Sequence, residues 1–486
     1  MTKVPRCMST QHPDNVNPPF FADAPELSGE DEIQEAYYVF SHLACDEQMW
    51  DCEGKEIDNF VIKKLLSRYE DYFSEHIIGE DAFITFRVPN PQLERTEAKI
   101  LLETLESIPR SYDTANTFYR RDVTPIFEVI LPMTTNPTEL NHIYHYYRDF
   151  VAGKQDKTIY KGTSIREWIG EFKPDTVNVI PLVEDYEHIL HVDSIVGDYI
   201  FDKDLDYQRV FLARSDPAMN YGFYSAIVLT KIALQRLKVL ERESGVDIYP
   251  IIGVGTAPFR GNLSPLTVES FADEYPSLMT YTLQSAFKYD YTPQEVVAGV
   301  EALKEKHRKN PRFVDEEAGL EVIARYSAQY QKEVKQLAPL INTMARYIPS
   351  RRKRKLHISL FGYSRNMDGV SLPRAIAFTA SLYSLGFPPE LLGLSSLSSE
   401  DIDILRRIHI NFDETLSSAL AYYNPRASKV TGLDIQRHID ALDVDYTYDE
   451  PHGSYTDAIL DTVRKNQMDQ TERLCIQAAH VRRFLG

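Results

Sequence analysis

The chain is poor in cysteine and has no cysteine pattern typical of a disulfide framework or a metal centre. Its four cysteines, Cys7, Cys45, Cys52 and Cys475, form no CxxC pair and no cysteine–histidine ligand spacing. Disulfide-rich secreted scaffolds and structural zinc sites are therefore excluded. Thiols that stay reduced are expected, as in the cytoplasm.

Long apolar runs are also absent. No stretch of about 18 apolar residues occurs, and the opening residues 1–5 lack the apolar segment of a signal peptide. The sequence therefore predicts a soluble, cytoplasmic protein with no membrane partner.

Positive charge is in deficit, because 53 lysines and arginines stand against 72 aspartates and glutamates, for a net charge of −19. Binding to nucleic acid needs concentrated positive charge at the phosphates, so nucleic acid is not an expected partner. An anionic substrate would need locally placed arginines. Low-complexity tracts and internal repeats are missing too, and 43% hydrophobic residues are typical of a globular chain.

Short apolar runs alternate with helical periodicity along most of the chain. Because these runs do not alternate apolar with polar residues, they predict parallel strands covered by helices on both sides. The predicted strands are 6–11, 82–88, 124–131, 177–182, 209–213, 248–253, 278–283 and 357–361. Eight strands alternating with helices predict an α/β fold, a (β/α)₈ TIM-like barrel with its active site at the carboxyl ends of the strands.

The remainder of the chain is predicted to be additional α-helix. A helical insertion spans about 292–347, and a mostly helical C-terminal region spans about 372–486 with no clear linker before it. We therefore expect one barrel-based domain over 1–486, with its eight strands between about 6 and 361. Residues 29–76 are expected to be scaffold, and the basic run 351–355 an interface or solvated patch at the opposite face of the barrel.

The first predicted strand ends at a histidine. Pro13 breaks the run, because proline fixes its own φ and pushes the preceding residue toward extended geometry, which leaves His12 at the strand end. Histidine exchanges a proton near neutral pH, so His12 is a candidate general base. The alternative is a histidine that caps an N-terminal turn together with Asp14 and Asn15.

Carboxylates follow two neighbouring predicted strands, Glu184 after one and Asp216 after the next. Two carboxylates at one barrel opening suit a hard divalent cation such as Mg²⁺ or Mn²⁺, which takes oxygen ligands. The alternatives are helix capping for Asp216, since Pro217 follows it, and a solvated loop for Glu184.

Arginines follow the later predicted strands. Arg260 lies in the loop 253–262, which contains glycines but has neither the P-loop nor the dinucleotide-binding spacing. Arg365 and Arg374 follow the last predicted strand. Because a guanidinium can bind phosphate or carboxylate bidentately, these arginines are candidate anion ligands, with surface salt bridges as the alternative.

Taken in order, these motifs resemble those of the phosphoenolpyruvate carboxylases, specifically the shorter archaeal type. The opening MSTQHPDN is similar to the N-terminal signature of that type and, more distantly, to the TAHPTE motif of the longer bacterial and plant enzymes. PLVED, SDPAMNYG, FRG, SRN and LPRAI are similar, in the same order, to PLFET, SDSxKDxG, GRGG, SRP and LRAI of the longer enzymes.

The resemblance implies carboxylation of phosphoenolpyruvate by bicarbonate to oxaloacetate and phosphate, through carboxyphosphate and a metal-stabilised enolate of pyruvate. It implies anaplerotic carbon fixation that feeds the tricarboxylic acid cycle, Mg²⁺ or Mn²⁺ as cofactor, and a homotetramer. The roles it carries over are metal binding for Glu184 and Asp216, base for His12, and phosphate and carboxylate binding for Arg260, Arg365 and Arg374.

The chain departs from the longer enzymes at two places. Their histidine and arginine before GRGG have no basic counterpart in 251–259, and the arginine of their LDxRQ motif has none in 124–133. Arg87, Arg214 and Lys288 are the hypothesised replacements, as substrate ligands.

Two other functions fit the same residues less specifically. A metal-dependent barrel lyase or aldolase acting on a 2-oxo acid would also use a glutamate–aspartate pair and arginines. A non-catalytic helical scaffold would bind partners through its acidic surface. Bicarbonate-dependent formation of oxaloacetate together with phosphate would separate the carboxylase from both.

Overall fold

A closed barrel of eight parallel strands lies at the centre of the computed structural model, which describes residues 4–52, 58–95, 98–353, 366–367, 370–465 and 469–486. The strands are β1 Cys7–Ser9, β2 Glu47–Asp51, β3 Phe83–Arg87, β4 Glu128–Leu131, β5 Asn178–Val183, β6 Tyr207–Ala213, β7 Asp247–Gly253 and β8 Thr280–Leu283. Each strand pairs with the next one along the chain, and β8 pairs with β1 to close the barrel. The predicted (β/α)₈ barrel is confirmed.

The predicted strand set leaves out one strand of the barrel. The barrel contains β2, which lies in the region expected to be scaffold, and its eighth strand is β8. The predicted strand 357–361 lies outside the described residues, and the barrel closes without it. The β2 sequence, EQMWD, has an acidic residue at each end, yet all five residues are buried. Sequence patterning misses such a strand because its polar side chains find their partners inside the barrel.

Helices surround the barrel. The described α-helices are α1 Glu30–Ser41, α2 Val61–Arg68, α3 Glu70–Glu75, α4 Ala98–Tyr119, α5 Pro137–Tyr146, α6 Ile165–Ile169, α7 Tyr186–Leu190, α8 Val192–Ile200, α9 Ser215–Tyr221, α10 Phe223–Ser244, α11 Val268–Glu274, α12 Ser285–Tyr289, α13 Pro293–Glu305, α14 Glu316–Met344, α15 Ala375–Ser384, α16 Ser399–Ile408, α17 Phe412–Leu420, α18 Ser428–Thr431, α19 Gln436–Ala441, α20 Glu450–Lys465 and α21 Thr471–Arg482. Two short hairpins pair Thr158–Tyr160 with Thr163–Ser164 and Asn366–Met367 with Val370–Ser371. Within the described ranges, none of these helices has both the length and the apolar character that crossing a membrane requires.

Local sequence signals set several of the helix ends. Helix α13 begins with a capping box, in which the Thr292 side chain accepts from the Glu295 amide and the Glu295 side chain accepts from the Thr292 amide. Helix α10 ends at Gly245, whose φ of 74° lies in the left-handed region that favours glycine.

The barrel interior has an apolar and a polar part. The apolar part consists of Met8, Met49, Ile130, Ile180, Leu182, Phe211, Ala213 and Ile251. The polar part centres on Arg209, which donates to Glu47 Oε2 at 2.6 Å and to Glu128 Oε2 at 3.1 Å. Both glutamates are the first residues of their strands, so this buried ionic cluster lies toward the amino ends of the strands. We infer that this ionic cluster stabilises the barrel and takes no part in catalysis, since barrel active sites form at the opposite face.

The basic run 351–355 is not a solvated patch where the structure describes it. Arg352 is buried and donates to Glu32 Oε1 and to Glu35 Oε2 of α1, each at 2.7 Å. Arg351 is also buried and donates from Nε to the Val16 carbonyl at 3.0 Å. The prediction of an interface or solvated patch is wrong for these two arginines, because paired carboxylates and carbonyls compensate their burial. Residues 354–355 lie outside the described residues.

Glu390 offers a test of pH-dependent stability. Burial raises the pKa of this carboxyl to about 7, although the Tyr383 hydroxyl donates to Oε1 at 2.6 Å. A folded-state pKa above the unfolded value means that ionisation costs folding free energy as the pH rises. We therefore expect Glu390→Gln to raise Tm at pH 8 and to leave Tm nearly unchanged at pH 4.5, as measured by circular dichroism. An equal change in Tm at both pH values would contradict this.

Candidate active site

The carboxyl ends of the eight parallel strands share one mouth of the barrel, where active sites of this fold form. The segments that follow β1, β5, β6, β7 and β8 carry, in that order, His12, Glu184, Asp216, Arg260 and Lys288. The chain therefore delivers five of the predicted site residues to the same end of the barrel.

The segment after β1 is tied to the segment after β8. Thr10 N donates to the Leu283 carbonyl at 3.0 Å, and Ser285 N donates to the His12 carbonyl at 3.2 Å. His12 is half-buried, and its Nδ1 lies 3.0 Å from Oγ1 of Thr10. The threonine hydroxyl thus orients the imidazole, as a general base requires.

Asp14 shapes the mouth. Its Oδ1 accepts from Ala286 N at 2.7 Å and its Oδ2 accepts from Thr256 N at 3.4 Å. Asp14 therefore joins three segments, those after β1, β7 and β8.

Arg260 lies at the meeting point of the loops and is 2% exposed. The guanidinium donates from Nε to Ser215 Oγ at 3.0 Å and from Nη2 to Gln284 Oε1 at 2.6 Å. Its Nη1 donates to Asp14 Oδ2 at 3.3 Å and to Gly486 O at 2.7 Å. These contacts connect the segments after β1, β6, β7 and β8. The side chain predicted to bind an anion is thus held rigidly at the mouth.

Gly255 makes room for this guanidinium. A Cβ built on Gly255 would lie 2.9 Å from Nη1 of Arg260 and 3.1 Å from Oδ2 of Asp14. Any side chain there would push the guanidinium away from the carboxylate. The glycine-containing loop therefore serves close packing around Arg260.

The two candidate metal-binding carboxylates occupy different settings. Glu184 is buried, and its Oε2 accepts from Met133 N at 3.0 Å. Asp216 is half-buried in the first turn of α9, which begins at Ser215, so Asp216 is not the cap of that helix. The neighbouring Asp185 caps α7 by accepting from His188 N at 3.1 Å, and Glu184 is therefore not needed for capping.

The donor chemistry at Glu184 and Asp216 fits a hard divalent cation, because both side chains offer carboxylate oxygen in the segments that follow two adjacent strands. Within the part of the chain that the structure describes, no group of three or more histidine, cysteine, aspartate and glutamate side chains is placed to hold a metal ion. A cation at the mouth would therefore take most of its ligands from water and substrate, which is usual for Mg²⁺.

Arg87, at the carboxyl end of β3, has an internal partner. Its Nε donates to Asp51 Oδ1 at 3.1 Å and its Nη2 donates to Asp51 Oδ2 at 2.8 Å. Asp51 is the last residue of β2, so this bidentate pair lies at the barrel mouth.

Arg214 also has an internal partner. It is buried and donates from Nη1 to the Tyr275 hydroxyl at 2.5 Å. Arg214 lines a small cavity together with Glu274 and His409. Both residues belong to the helical layer, so the side chain of Arg214 lies against helices, while its backbone amide donates to the Gly253 carbonyl of β7 at 3.0 Å.

Lys288 supports the end of β1. Its Nζ donates to Ser9 Oγ at 2.9 Å, to the Thr10 carbonyl at 3.0 Å and to Glu35 Oε1 at 3.0 Å. These contacts use the three protons of the ammonium group, which is 2% exposed. The lysine therefore holds the residues that lead to His12.

Glu35, in α1, is the shared acceptor of this cluster. It accepts from Arg352 Nη2 at 2.7 Å and from the Tyr289 hydroxyl at 2.8 Å, besides Lys288. Burial raises the pKa of the Glu35 carboxyl, but the charges of Arg352 and Lys288 outweigh burial and hold that pKa well below its usual range. Glu35 is therefore ionised between two buried cations.

The two remaining predicted ligands lie toward the C-terminal part. Arg365 lies outside the described residues. Arg374 is half-buried and precedes α15, the helix that packs against α9 and hence close to the element that carries Asp216. The structure thus places Arg374 at the start of an adjoining helix and brings six predicted site residues to one mouth: His12, Arg87, Glu184, Asp216, Arg260 and Lys288.

Sequence reasoning missed several residues that organise this mouth: Glu35, Asp51, Gln284, Asn90 and Met133. Asp51 would have followed from recognising β2, since it ends that strand. Glu35 lies among the apolar positions of α1, and an acidic residue on a buried helix face is a signal of an internal cation. The other three carry no pattern that a single sequence shows.

Known proteins match this chain over its whole length. A family model described as phosphoenolpyruvate carboxylase matches residues 4–486. A phosphoenolpyruvate carboxylase of Methanothermobacter thermautotrophicus is 55% identical over 484 residues, covering 100% of both chains. Those of Methanospirillum hungatei and Halobacterium salinarum are 54% and 48% identical, again over 100% of both chains.

A solved HpcH/HpaI aldolase from Desulfitobacterium hafniense DCB-2 is similar over 63% of this chain and 95% of its own, at 14% identity and a TM-score of 0.33. The barrel assignment stands on the strand pairing and does not need it. The full-length matches agree with the order of motifs from residue 8 to residue 376. The chain belongs to the phosphoenolpyruvate carboxylase family.

Proposed function

We propose that this protein carboxylates phosphoenolpyruvate with bicarbonate, giving oxaloacetate and inorganic phosphate, as an anaplerotic step of the cytoplasm that feeds the tricarboxylic acid cycle. The observation that carries the proposal is the arrangement around Arg260, a buried guanidinium that joins the segments after β1, β6 and β8 at the barrel mouth. A phosphate-bearing substrate needs such a fixed cation in a chain whose net charge is −19.

The roles of the residues follow from the chemistry of each step. A bicarbonate oxygen attacks phosphorus, the bond from phosphorus to the enol oxygen breaks, and carboxyphosphate and the enolate of pyruvate result. His12, oriented by Thr10, takes the proton of carboxyphosphate, which separates into phosphate and CO₂. The methylene carbon of the enolate then bonds to CO₂.

Three arginines, Arg260, Arg365 and Arg374, hold the phosphate and carboxylate groups in this proposal. Enclosure at the mouth keeps water from protonating the enolate. Arg87, Arg214 and Lys288 stay hypothesised substrate ligands. Like Arg260, each of them would have to exchange an internal partner for substrate.

Phosphoenolpyruvate carboxylases generally need a divalent metal ion. We assign its ligands to Glu184 and Asp216 and prefer Mg²⁺ or Mn²⁺, because both donors are carboxylates. When bound, the ion supplies Lewis-acid stabilisation of the developing negative charge on the enolate oxygen.

The direct test supplies phosphoenolpyruvate, Mg²⁺ and bicarbonate to the purified protein. Oxaloacetate and phosphate should form together, and only with bicarbonate present. Reduction of oxaloacetate by malate dehydrogenase serves to measure it. Cleavage of a 2-oxo acid to pyruvate without phosphate release would instead favour the metal-dependent lyase or aldolase.

Asp216→Asn should weaken metal binding, because it removes one negative charge from the proposed ligand pair while keeping the side-chain shape. We expect the Kd for Mn²⁺ to rise by about tenfold or more, measured by electron paramagnetic resonance of the unbound ion. Asp185→Asn is the matched control: it removes a charge next to Glu184, but asparagine caps a helix as well as aspartate does. An unchanged Kd in the Asp216 variant would refute its role as a ligand.

We further propose that the chain is one barrel-based domain that assembles as a homotetramer. The hydrogen bond from Arg260 to Gly486 supports the single domain, since it joins the C-terminal region to the barrel mouth. Exposed apolar side chains concentrated in residues 150–169 support assembly: Phe150, Ile159, Tyr160, Trp168 and Ile169. Sedimentation velocity would measure the assembly state, and a monomer at micromolar concentration would contradict the homotetramer.

A further inference from the structure

The turn after β4 contains a backbone conformation that ordinary residues avoid. Met133 has a φ of 51°, in the left-handed region. A bulky residue adopts that region rarely, because its Cβ crowds the backbone. Such conformations persist only where surrounding contacts impose them, and they concentrate at functional sites.

The left-handed turn directs the Met133 amide at Glu184. Met133 N donates to Glu184 Oε2 at 3.0 Å, across the gap between the segments after β4 and β5. The next residue fixes the turn on both sides, since Thr134 N donates to the Leu182 carbonyl at 2.9 Å and Thr134 Oγ1 to the Leu131 carbonyl at 2.8 Å. One oxygen of the glutamate is thus held by a backbone group that cannot rotate.

Asn90, in the segment after β3, imposes the turn from the other side. It is 1% exposed, and its Nδ2 donates to the carbonyls of Pro132 at 3.0 Å and of Met133 at 3.3 Å. Its Oδ1 accepts from Gln92 N at 3.0 Å, which fixes the amide in this orientation. Asn90 therefore links the segments after β3 and β4, and the segment after β5 joins them through the Met133 amide and Glu184.

We propose that Asn90 and the left-handed turn at Met133 position Glu184, so that this carboxylate meets a divalent cation in one orientation. The inference rests on the proposed function, in which Glu184 is a metal ligand. Mutation of a residue that hydrogen-bonds a ligating carboxylate typically weakens metal binding 10–100-fold. Asn90 acts through Met133 and is a positioning residue, because none of its described contacts is with Glu184 itself.

The test measures binding of Mn²⁺ alone to the metal-depleted protein, by electron paramagnetic resonance of the unbound ion, with Tm recorded for each variant. Asn90→Ala should raise the Kd for Mn²⁺ about tenfold, because the turn can then relax and withdraw the amide. Adding Met133→Gly should recover part of this loss, since glycine adopts the left-handed φ without strain.

The matched control is Asn136→Ala. Asn136 ends the same loop, where its Oδ1 accepts from Glu139 N at 3.2 Å to cap α5. Its described side-chain contacts are with Thr135 and Glu139 and do not include Pro132 or Met133. We expect this control to lower Tm and leave the Kd for Mn²⁺ unchanged. An unchanged Kd in Asn90→Ala, or an equal rise in Asn136→Ala, would overturn the positioning role.

A third variant separates failure of the inference from failure of the metal assignment. Glu184→Gln should weaken Mn²⁺ binding at least as much as Asn90→Ala does. If Glu184→Gln weakens binding and Asn90→Ala does not, only the positioning role is refuted. If Glu184→Gln leaves the Kd unchanged, Glu184 is not a ligand, and the assignment and the inference are both refuted.

Discussion

His12→Asn should reduce oxaloacetate formation by about 10²–10⁴-fold, the usual contribution of a general base, while phosphate release from phosphoenolpyruvate continues with bicarbonate present. Asparagine retains a polar atom that can meet the Thr10 hydroxyl, 3.0 Å from the imidazole in the parent protein, but it cannot accept a proton. Attack of bicarbonate on phosphorus precedes the proposed base step, so that step survives. Oxaloacetate and phosphate would be measured in parallel on the same samples.

The matched control is His76→Asn, because His76 is an exposed histidine that bonds only locally, to the Tyr72 carbonyl, in its described contact. It should leave both rates unchanged. Equal loss of oxaloacetate and phosphate in His12→Asn would show that His12 acts before or at phosphoryl transfer, and would remove its assignment as the base for carboxyphosphate.

The barrel could be predicted because seven of its strands are short apolar runs between helices. Strand β2 could not, because Glu47 at its start is buried by pairing with Arg209, a residue of β6 far along the chain. A single sequence shows a charge but not the distant charge that neutralises it. The same reasoning explains why the burial of Arg352 was not predicted. Its carboxylate partners lie in α1, far from the basic run in the sequence.

For the candidate site, the sequence predicts where the side chains lie but not which groups hold them. The location of His12, Glu184, Asp216 and Arg260 at one mouth could be predicted, because parallel barrel strands all end there and a residue that follows a strand reaches it. What holds these side chains could not be predicted, since it consists mainly of backbone groups and neutral side chains, with the Asp14 carboxylate at Arg260 as the charged member. The Met133 amide at Glu184 is one example, because its direction depends on a left-handed turn.

The buried charges of Lys288 and Arg87 illustrate a further limit. Both are hypothesised substrate ligands, as replacements for basic residues of the longer enzymes, and the structure pairs Lys288 with Glu35 and Arg87 with Asp51. Substrate binding by either residue stays a prediction. Their described contacts favour support of the mouth, because a buried cation that loses its carboxylate is costly.

Glu35→Gln should be the most destabilising of the substitutions proposed for this chain. Glu35 accepts from Lys288 at 3.0 Å and from Arg352 at 2.7 Å, and all three side chains are buried. Removing its charge leaves two buried cations with one remaining carboxylate, Glu32, which pairs only with Arg352 in the described contacts. We expect the free energy of unfolding to fall by about 3–5 kcal/mol, measured from Tm and urea denaturation at pH 7.

Three comparisons decide whether lost charge pairing causes this effect. Adding Lys288→Met to Glu35→Gln removes the uncompensated cation and leaves the Arg352–Glu32 pair, so it should recover part of the stability. Glu80→Gln breaks an exposed pair with Arg121 and should cost at most about 1 kcal/mol.

The third comparison is the pH dependence. Because the folded-state pKa of Glu35 is lowered, the contribution of its charge to stability is fully present above the unfolded pKa of about 4.3 and is lost as the pH falls below it. The difference in Tm between the parent protein and Glu35→Gln should therefore shrink below that pH, and a difference that does not change with pH would point to lost packing instead.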